Sequence, residues 1–181
     1  AQKRGKKIAI ASGRSIAGIR KNASQIQLEK FGGFVIAYNG TTVVNCKTGE
    51  CIYNQMVPGE ILEPVYKEAV KAEVSIAVYN DAEKELIAAN GVTRYIDADA
   101  RACDVAVRET DDFVKVVNFG FNKIMLSGEP DSMKNIEKHM REMFGDKVNV
   151  FRSDPHFVEL LPKYVDKGVA VEKLMRYLDI N

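Results

Sequence analysis

Two short apolar segments near the start of the chain have the pattern of buried β-strands. Residues 8–11 form a nearly continuous apolar run, and residues 34–38 form a second one that ends at Asn39-Gly40. Apolar positions recur between them near helical spacing, at Ile16, Ile19, Ala23 and Ile26. We therefore predict a parallel βαβ unit whose strands are covered on both faces and end at the same edge of the sheet.

The middle of the chain alternates between strand and helix patterns. Residues 41–45 and 51–57 alternate on either side of a glycine-containing turn, which predicts a β-hairpin. The other elements that we predict are helices at residues 61–70, 130–144 and 167–178, and strands at residues 74–79, 85–89, 121–126, 148–152 and 157–161. Residues 90–112 mix polar and apolar positions, and for them we expect only some helix.

The number of parallel strands is too small for a complete doubly wound sheet, which normally has about five. We therefore predict an α/β fold in which a partial doubly wound (Rossmann-like) core carries a large inserted α+β domain. The expected division is residues 1–59 as partial core, residues 60–161 as the insertion and residues 162–181 as the rest of the core. We also expect truncation at both ends, with uncovered apolar faces on residues 8–11 and 34–38 that favour self-association.

Composition and charge exclude several classes of partner. The 181 residues include 26 Lys and Arg against 25 Asp and Glu, a net charge of +1, so we expect no binding to nucleic acid or membranes. The chain has neither a membrane-length apolar run nor a signal-peptide core, and we expect a cytoplasmic protein. Three cysteines suit a reducing compartment, and we expect no thiolate metal site. A disulfide between Cys46 and Cys51 across the hairpin is conceivable, but disulfides are rare in the reducing cytoplasm that we expect for this protein.

The first strand leads into a turn with the chemistry of an anion site. Ser12 and Gly13 follow the strand directly and precede a helix, so a hydroxyl and backbone N–H groups point beyond the strand end. Such groups bind phosphate. The alternative is that Ser12 only caps the following helix, and from this segment alone the two readings weigh about equally. A P-loop is absent, because Ile19-Arg20 follow Gly18 where that motif has Lys-Ser/Thr. A dinucleotide-binding fingerprint is also absent, because no Gly-x-Gly-x-x-Gly occurs.

Four motifs in order along the chain resemble those of the haloacid dehalogenase superfamily of phosphatases, in its Cof-like branch with a large α/β cap. They cover nearly the whole chain, and their combination is specific where each alone is weak. The segments that carry the resemblance are residues 8–14 (IAIASGR), residues 38–40 (YNG), residues 152–153 with 157–160 (RS and FVEL), and residues 166–170 (DKGVA).

The resemblance implies a magnesium-dependent phosphatase that acts on small phosphomonoesters such as sugar phosphates. By the same resemblance Ser12 and Gly13 hold the phosphate, Asn39 lies close to it, and Lys167 is the catalytic, charge-stabilising lysine. Such groups suit phosphoryl transfer, which depends on positioning and on stabilising the charge of the phosphoryl oxygens. Lys167 could instead be a solvated side chain at a helix start, and Asn39-Gly40 could be only a turn.

Three further residues are weaker candidates for contacts with substrate or cap. Arg14 is as well explained by a surface charge as by a contact that closes the cap. Ser153 and Glu159 could reach substrate from the base of the cap, but a structural use is equally compatible with the sequence.

The acidic motifs of that superfamily are absent from these residues. No Asp-x-Asp-Gly-Thr occurs, since Asp97-Ala98-Asp99 is followed by Ala100 and lies inside the expected cap. The second acidic motif would lie beyond Asn181. We therefore expect no Mg²⁺ ligands among these residues and no turnover by this chain alone. The competing hypothesis is a cap or binding module without catalysis, and phosphate release by the full-length protein would separate the two.

Overall fold

The structure is a computed structural model that describes residues 1–180. It comprises two compact units. The first contains Ala1–Gln55 and the chain from Tyr164 onward, and the second contains Met56–Lys163. The chain therefore passes between the units at 55/56 and at 163/164, while the predicted domain boundaries lie at 59/60 and 161/162. Each unit is described by itself below.

The elements of both units follow in chain order. Ten strands are formed, β1 Ala9–Ala11, β2 Phe34–Ala37, β3 Thr42–Asn45, β4 Cys51–Asn54, β5 Ser75–Asn80, β6 Glu85–Ala89, β7 Ala106–Glu109, β8 Ile124–Ser127, β9 Val148–Asp154 and β10 Phe157–Pro162, all within residues 1–180. The helices of the same residues are α1 Ile16–Gln25, α2 Leu28–Phe31, α3 Leu62–Lys71, α4 Arg94–Cys103, α5 Phe113–Val116, α6 Pro130–Phe144 and α7 Lys167–Tyr177, with short 3-10 turns at Gln2–Arg4, Tyr38–Gly40 and Gly59–Ile61.

The sheet of the first unit has the order β1-β2-β3-β4. β1 and β2 are parallel, with Ile10 opposite Val35, and β3 is antiparallel to both β2 and β4. The predicted parallel strands and the predicted hairpin are thus confirmed. α1 connects β1 to β2 as the crossover helix that a parallel pair requires.

The two parallel strands differ sharply in burial. All four residues of β2 are buried, because β1 and β3 flank it and the side chains of Phe34 and Ile36 pack in a cluster with Ala170 and Leu174 of α7. The expected lack of cover is therefore wrong for β2. In β1, Ala9 and Ala11 are exposed and Ile10 is half-buried, so the prediction of a strand covered on both faces is wrong for β1 in this structure. Among residues 1–180, β2 is the single strand that pairs with β1.

The second unit is built on a six-stranded sheet of order β7-β6-β5-β8-β10-β9. Its neighbouring strands are antiparallel except for β6 and β7, which are parallel. A continuous core joins the sheet to α3, α5 and α6, and its largest fully buried member is Phe113. On β5, Tyr79 donates a hydrogen bond to Asp99 of α4 at 2.5 Å. The mixture of strands and helices agrees with the predicted α+β character.

Residues 90–112, where the pattern predicted little, contain a helix and a strand. α4 begins after Thr93, whose side chain accepts a hydrogen bond from the Ile96 amide at 3.1 Å. Ile96, Ala100 and Cys103 are its buried positions. β7 is an edge strand with mostly exposed side chains, so it lacks the alternation by which a half-buried strand is recognised.

The polypeptide offers neither a disulfide nor a membrane span in the part that the structure describes. Cys46, Cys51 and Cys103 are free thiols. Burial raises the pKa of Cys46, with a smaller contribution from Glu29, and burial also raises the pKa of Cys51. None of the helices in residues 1–180 is long and apolar enough to cross a bilayer.

Candidate functional site

The turn after β1 extends the parallel pairing beyond the strand ends. The Ser12 amide donates to the Ile36 carbonyl at 2.9 Å, and the Asn39 amide donates to the Ser12 carbonyl at 3.0 Å. The Tyr38 amide donates to the Arg14 carbonyl at 2.9 Å. These bonds fix the turn after β1 against the turn after β2, so the two predicted phosphate-site segments lie side by side.

Ser12 does not cap the helix that follows. Its Oγ accepts a hydrogen bond from the Arg14 amide at 3.2 Å, within its own turn. The helix cap is Ser15, which is fully buried and accepts from the Gly18 amide at 3.1 Å. The capping alternative for Ser12 is therefore wrong. Ser15 stands immediately before the first helical residue, which is the sequence signal that separates the two serines.

Gly13 and Asn39 are in direct contact. A Cβ atom added to Gly13 would lie 2.8 Å from Asn39 Oδ1, which is closer than a carbon and an oxygen can pack. Asn39 adopts a φ of 57° in the Tyr38–Gly40 turn, a left-handed conformation that asparagine tolerates better than most residues. The absence of a side chain at Gly13 thus allows the Asn39 amide to approach the turn after β1.

Gly40 brings the start of α7 to the same place. Its φ is 106°, and a Cβ atom here would overlap the Asp166 carbonyl and lie 3.0 Å from the backbone nitrogen of Lys167. Only glycine combines this conformation with so close an approach. Asp166 caps α7, accepting a hydrogen bond from the Val169 amide at 2.8 Å. Lys167 is the first residue of α7, and it is exposed.

The residues at this edge do not form a magnesium cage. Asp166 lies beside Gly40, and its carboxylate Oδ1 accepts a hydrogen bond from the helix that it caps. No group of three or more His, Cys, Asp or Glu side chains that could hold a metal ion occurs within residues 1–180. Mg²⁺ prefers a near-octahedral set of oxygen ligands, which these side chains do not provide.

The weaker candidates fall in both units. Arg14 is an exposed residue of the first unit, in the turn that holds Ser12. Ser153 and Glu159 belong to the second unit, where the Ser153 hydroxyl donates to Glu159 Oε1 at 3.0 Å. The same oxygen accepts from Lys123 Nζ at 3.0 Å, and this ion pair is almost fully buried. Lys123 was missed by the sequence reading, because it precedes a strand in a segment of ordinary polarity and carries no motif.

The two units carry opposite net charges. The first unit has twelve Lys and Arg against five Asp and Glu, a formal charge of +7, and the second has fourteen against twenty, a charge of −6. Every ion pair among residues 1–180 lies in the second unit. The predicted phosphate-site residues therefore belong to a basic unit whose cations are unpaired with carboxylates, which favours anionic ligands.

Comparison with known proteins agrees with these observations. The family model described as haloacid dehalogenase-like hydrolase matches residues 1–181. "Putative phosphatase M6_Spy0533" of Streptococcus pyogenes serotype M6 is 26% identical over 185 residues, an alignment that covers 100% of this chain and 66% of that protein. The crystal structure of a haloacid dehalogenase-like hydrolase from Bacteroides thetaiotaomicron superposes with a TM-score of 0.94 at 29% identity, covering 99% of this chain and 67% of that one.

A third likeness concerns the fold alone. The sugar phosphatase BT4131, of haloacid dehalogenase subclass IIB, superposes with a TM-score of 0.75 at 20% identity, covering 99% of this chain and 65% of that one. The chain thus spans about two thirds of the length of these relatives.

Proposed function

Because the chain belongs to the haloacid dehalogenase-like hydrolase family, in its Cof-like branch, we propose that the whole protein is a magnesium-dependent phosphatase. Its substrate would be a small phosphorylated metabolite, and a phosphomonoester such as a sugar phosphate fits best. The proposed place of action is the cytoplasm.

The observation that carries the proposal is the meeting of three separated segments at one edge of the first unit. The turn at Ser12-Gly13 contacts Asn39, and Gly40 contacts the start of α7 at Lys167. Carboxyl ends of parallel strands beside a helix start are the usual place for an anionic ligand in an α/β sheet. The glycines at positions 13 and 40 are required for these approaches, so the arrangement is built into the backbone.

The three side chains at this edge have distinct proposed roles. Because Ser12 Oγ accepts from the Arg14 amide, its own O–H is left to donate to a phosphate oxygen. Lys167 would supply a positive charge to the phosphoryl oxygens as charge builds up in the transition state. Asn39 would bind or orient the same group through its side-chain amide.

The nucleophile and the metal are not assigned to residues of this chain. The described side chains do not fit a Mg²⁺ site, and we derive no step through the ion. Magnesium dependence rests on family membership, in which a bound Mg²⁺ would neutralise phosphate charge. The groups described above position a phosphate, and an attacking oxygen must be added to them for turnover.

Arg14, Ser153 and Glu159 are proposed as secondary contacts. Arg14 is exposed beside Ser12 and is free to reach an anionic substrate. Glu159 is held by Lys123, so its proposed contribution is to orient the Ser153 hydroxyl rather than to bind substrate with its own charge.

Phosphate release by the whole protein tests this function. We expect orthophosphate to be released from a sugar phosphate in the presence of Mg²⁺, and the release to stop when the metal is chelated. Residues 1–181 alone are expected to release none with the same substrates. A whole protein that binds phosphate without hydrolysing any monoester of the panel would favour the binding-module hypothesis, and robust turnover by residues 1–181 would show that the attacking group lies within them.

A further inference from the structure

The hydrogen bonds between β1 and β2 change their pattern at Tyr38. The Ser12 amide donates to the Ile36 carbonyl at 2.9 Å, as the register of the two strands requires. In a regular parallel ladder the Tyr38 amide would next donate to the Ser12 carbonyl. The Asn39 amide makes that bond instead, at 3.0 Å. Tyr38 is therefore one extra residue inserted where β2 ends, in the manner of a β-bulge.

The amide of this inserted residue holds the far side of the turn after β1. Tyr38 N–H donates to the Arg14 carbonyl at 2.9 Å, while Asn39 N–H donates to the Ser12 carbonyl. The peptide group between Gly13 and Arg14 lies between these two fixed carbonyls. Its N–H, which belongs to Arg14, donates to Ser12 Oγ at 3.2 Å. The two amides of the turn after β2 thus fix the peptide group that orients the Ser12 hydroxyl.

The glycine in this turn makes such a restraint necessary. A side chain at Gly13 is excluded, because an added Cβ would lie 2.8 Å from Asn39 Oδ1. Glycine has more backbone freedom than any other residue, so the turn by itself would not keep one orientation of the Ser12 hydroxyl. The two hydrogen bonds from the turn after β2 remove that freedom before a ligand arrives. A donor that is already oriented binds an anion without the cost of being ordered.

The backbone conformation of Tyr38 is one that its own side chain disfavours. Its φ is 47°, in the left-handed region that bulky residues rarely adopt. The side chain is only 2% exposed, and its burial offsets the unfavourable φ. Asn39 and Gly40 follow with φ values of 57° and 106°, so three successive residues have positive φ. Strained conformations of this kind cluster at ligand and active sites, where the surrounding structure holds them.

We propose that Tyr38 is a positioning residue of the phosphate site, which acts through Arg14 on the Ser12 hydroxyl. The inference rests on the proposed function, in which Ser12 donates to a phosphate oxygen. The left-handed backbone of Tyr38 places its own amide on Arg14 and the next amide on Ser12. Relaxation of residue 38 into an extended conformation would release the Arg14 carbonyl. The Ser12 O–H would then lose its fixed direction, although the strands would stay paired.

The variants Tyr38→Leu and Tyr38→Ile of the whole protein test this role. The two side chains are isomers, but branching at Cβ makes isoleucine the poorer residue at a positive φ. We expect kcat/KM for a sugar phosphate, and the affinity for orthophosphate, to be lower by about fivefold or more in Tyr38→Ile than in Tyr38→Leu. With Ser12→Ala added to each, the two should agree within about twofold, because the group through which Tyr38 acts is gone. Equal values without Ser12→Ala, or a fivefold difference that survives it, would overturn the proposal.

Gln27 provides the matched control, because it is an exposed residue with a left-handed φ of 57° between α1 and α2. Gln27→Ile should unfold at a lower temperature than Gln27→Leu, for the same steric reason. Both should keep kcat/KM and phosphate affinity within about twofold of the original protein. A fivefold difference between the Gln27 variants in these two quantities would show that the effect follows from lost stability, and the role of Tyr38 would be refuted.

Hydrogen exchange of the unsubstituted whole protein gives a readout that depends neither on the folding of a variant nor on turnover. The Tyr38 amide should exchange more slowly than in an unstructured peptide by about a hundredfold or more. Exchange at the unprotected rate would show that the Arg14 carbonyl is not held, and the inference would be wrong. If the amide were protected and the orthophosphate affinities differed as expected while no monoester was hydrolysed, the proposed function would fail and the positioning role would stand.

Discussion

The two units differ in how completely each satisfies its own side chains. The second unit has a continuous core beneath a six-stranded sheet and contains all the ion pairs of residues 1–180. The first unit has a half-exposed strand β1, a small core against α7 and an excess of unpaired cations. Satisfied charges and buried strands are what stability requires. The first unit, which carries the candidate phosphate site, has fewer paired charges and a less buried edge strand within residues 1–180.

Truncation of a core side chain should show the largest contrast in stability. Phe113 is fully buried in the second unit, and Phe113→Ala is expected to cost about 3–5 kcal/mol. Ile10→Ala, in the half-exposed β1, should cost about 1 kcal/mol because less apolar surface is lost. Hydrogen exchange of amides in β5 and β2 would report each unit separately. Equal costs at the two positions would contradict the contrast in packing.

Among the polar contacts described above, the buried pair Lys123–Glu159 should show the largest loss of stability on substitution. Lys123→Met leaves the Glu159 carboxylate buried without its ammonium partner, and we expect a loss of about 3–5 kcal/mol in urea unfolding. The double variant Lys123→Met/Glu159→Leu should recover most of that loss, since no buried charge remains. A single variant as stable as the original chain would show that the pair is solvated.

Much of this organisation was readable in the sequence, and the failures have physical causes. The pairing of residues 8–11 with 34–38 followed from their apolar runs, and the expectation that Ser12 and Asn39 lie at one edge followed from the rule that parallel strands end together. Lys167 became a candidate only through the family resemblance. The burial of β2 depends on α7, which lies more than 120 residues later in the chain. No local pattern reports such a contact.

The missed features are those without a local pattern. α4 has few buried positions, and β7 is an exposed edge strand. Lys123 looks like an ordinary surface lysine until β8 and β10 pair and bring it to Glu159. A buried ion pair joins two positions distant in the chain, so either residue alone carries no signal.

Substitution of Gly40, which lies against the start of α7, should have an intermediate effect on the stability of the first unit. Gly40→Ala combines a φ of 106° with an overlap at the Asp166 carbonyl, and we expect a loss of at least about 2 kcal/mol. Gly49→Ala is the matched control, because its φ of 74° is also positive but nothing lies within 4 Å, and it should cost about 1 kcal/mol. Thermal unfolding of both variants compares them. Equal costs would mean that α7 does not pack on the turn.

The smallest effect is a dependence on pH in the second unit. Lys71 and, to a lesser degree, His139 hold the pKa of Glu68 below its usual value through hydrogen bonds at 2.6 and 2.7 Å. A lowered folded pKa stabilises the protein above the unfolded pKa, about 4.3, and this stability is lost as the pH falls through the folded value. Glu68→Gln should therefore be less stable than the original chain at pH 7 and lose that difference in acid, whereas Glu83→Gln should change little. A difference that persisted in acid would contradict the assignment.

The role of the first unit is tested most directly by Lys167 in the whole protein. If its ammonium neutralises the phosphoryl oxygens, Lys167→Ala should lower kcat/KM by a factor that corresponds to about 2.7–4 kcal/mol of lost transition-state stabilisation. Folding should be unchanged. Lys167→Arg should recover little of the rate, because a planar guanidinium does not replace a compact charge. Ser12→Ala should cost less, since backbone donors remain, and Lys21→Ala, on the exposed surface of α1, should cost nothing measurable. Near-normal turnover by a folded, magnesium-loaded Lys167→Ala variant would contradict the account and identify Lys167 as a solvated helix-start lysine.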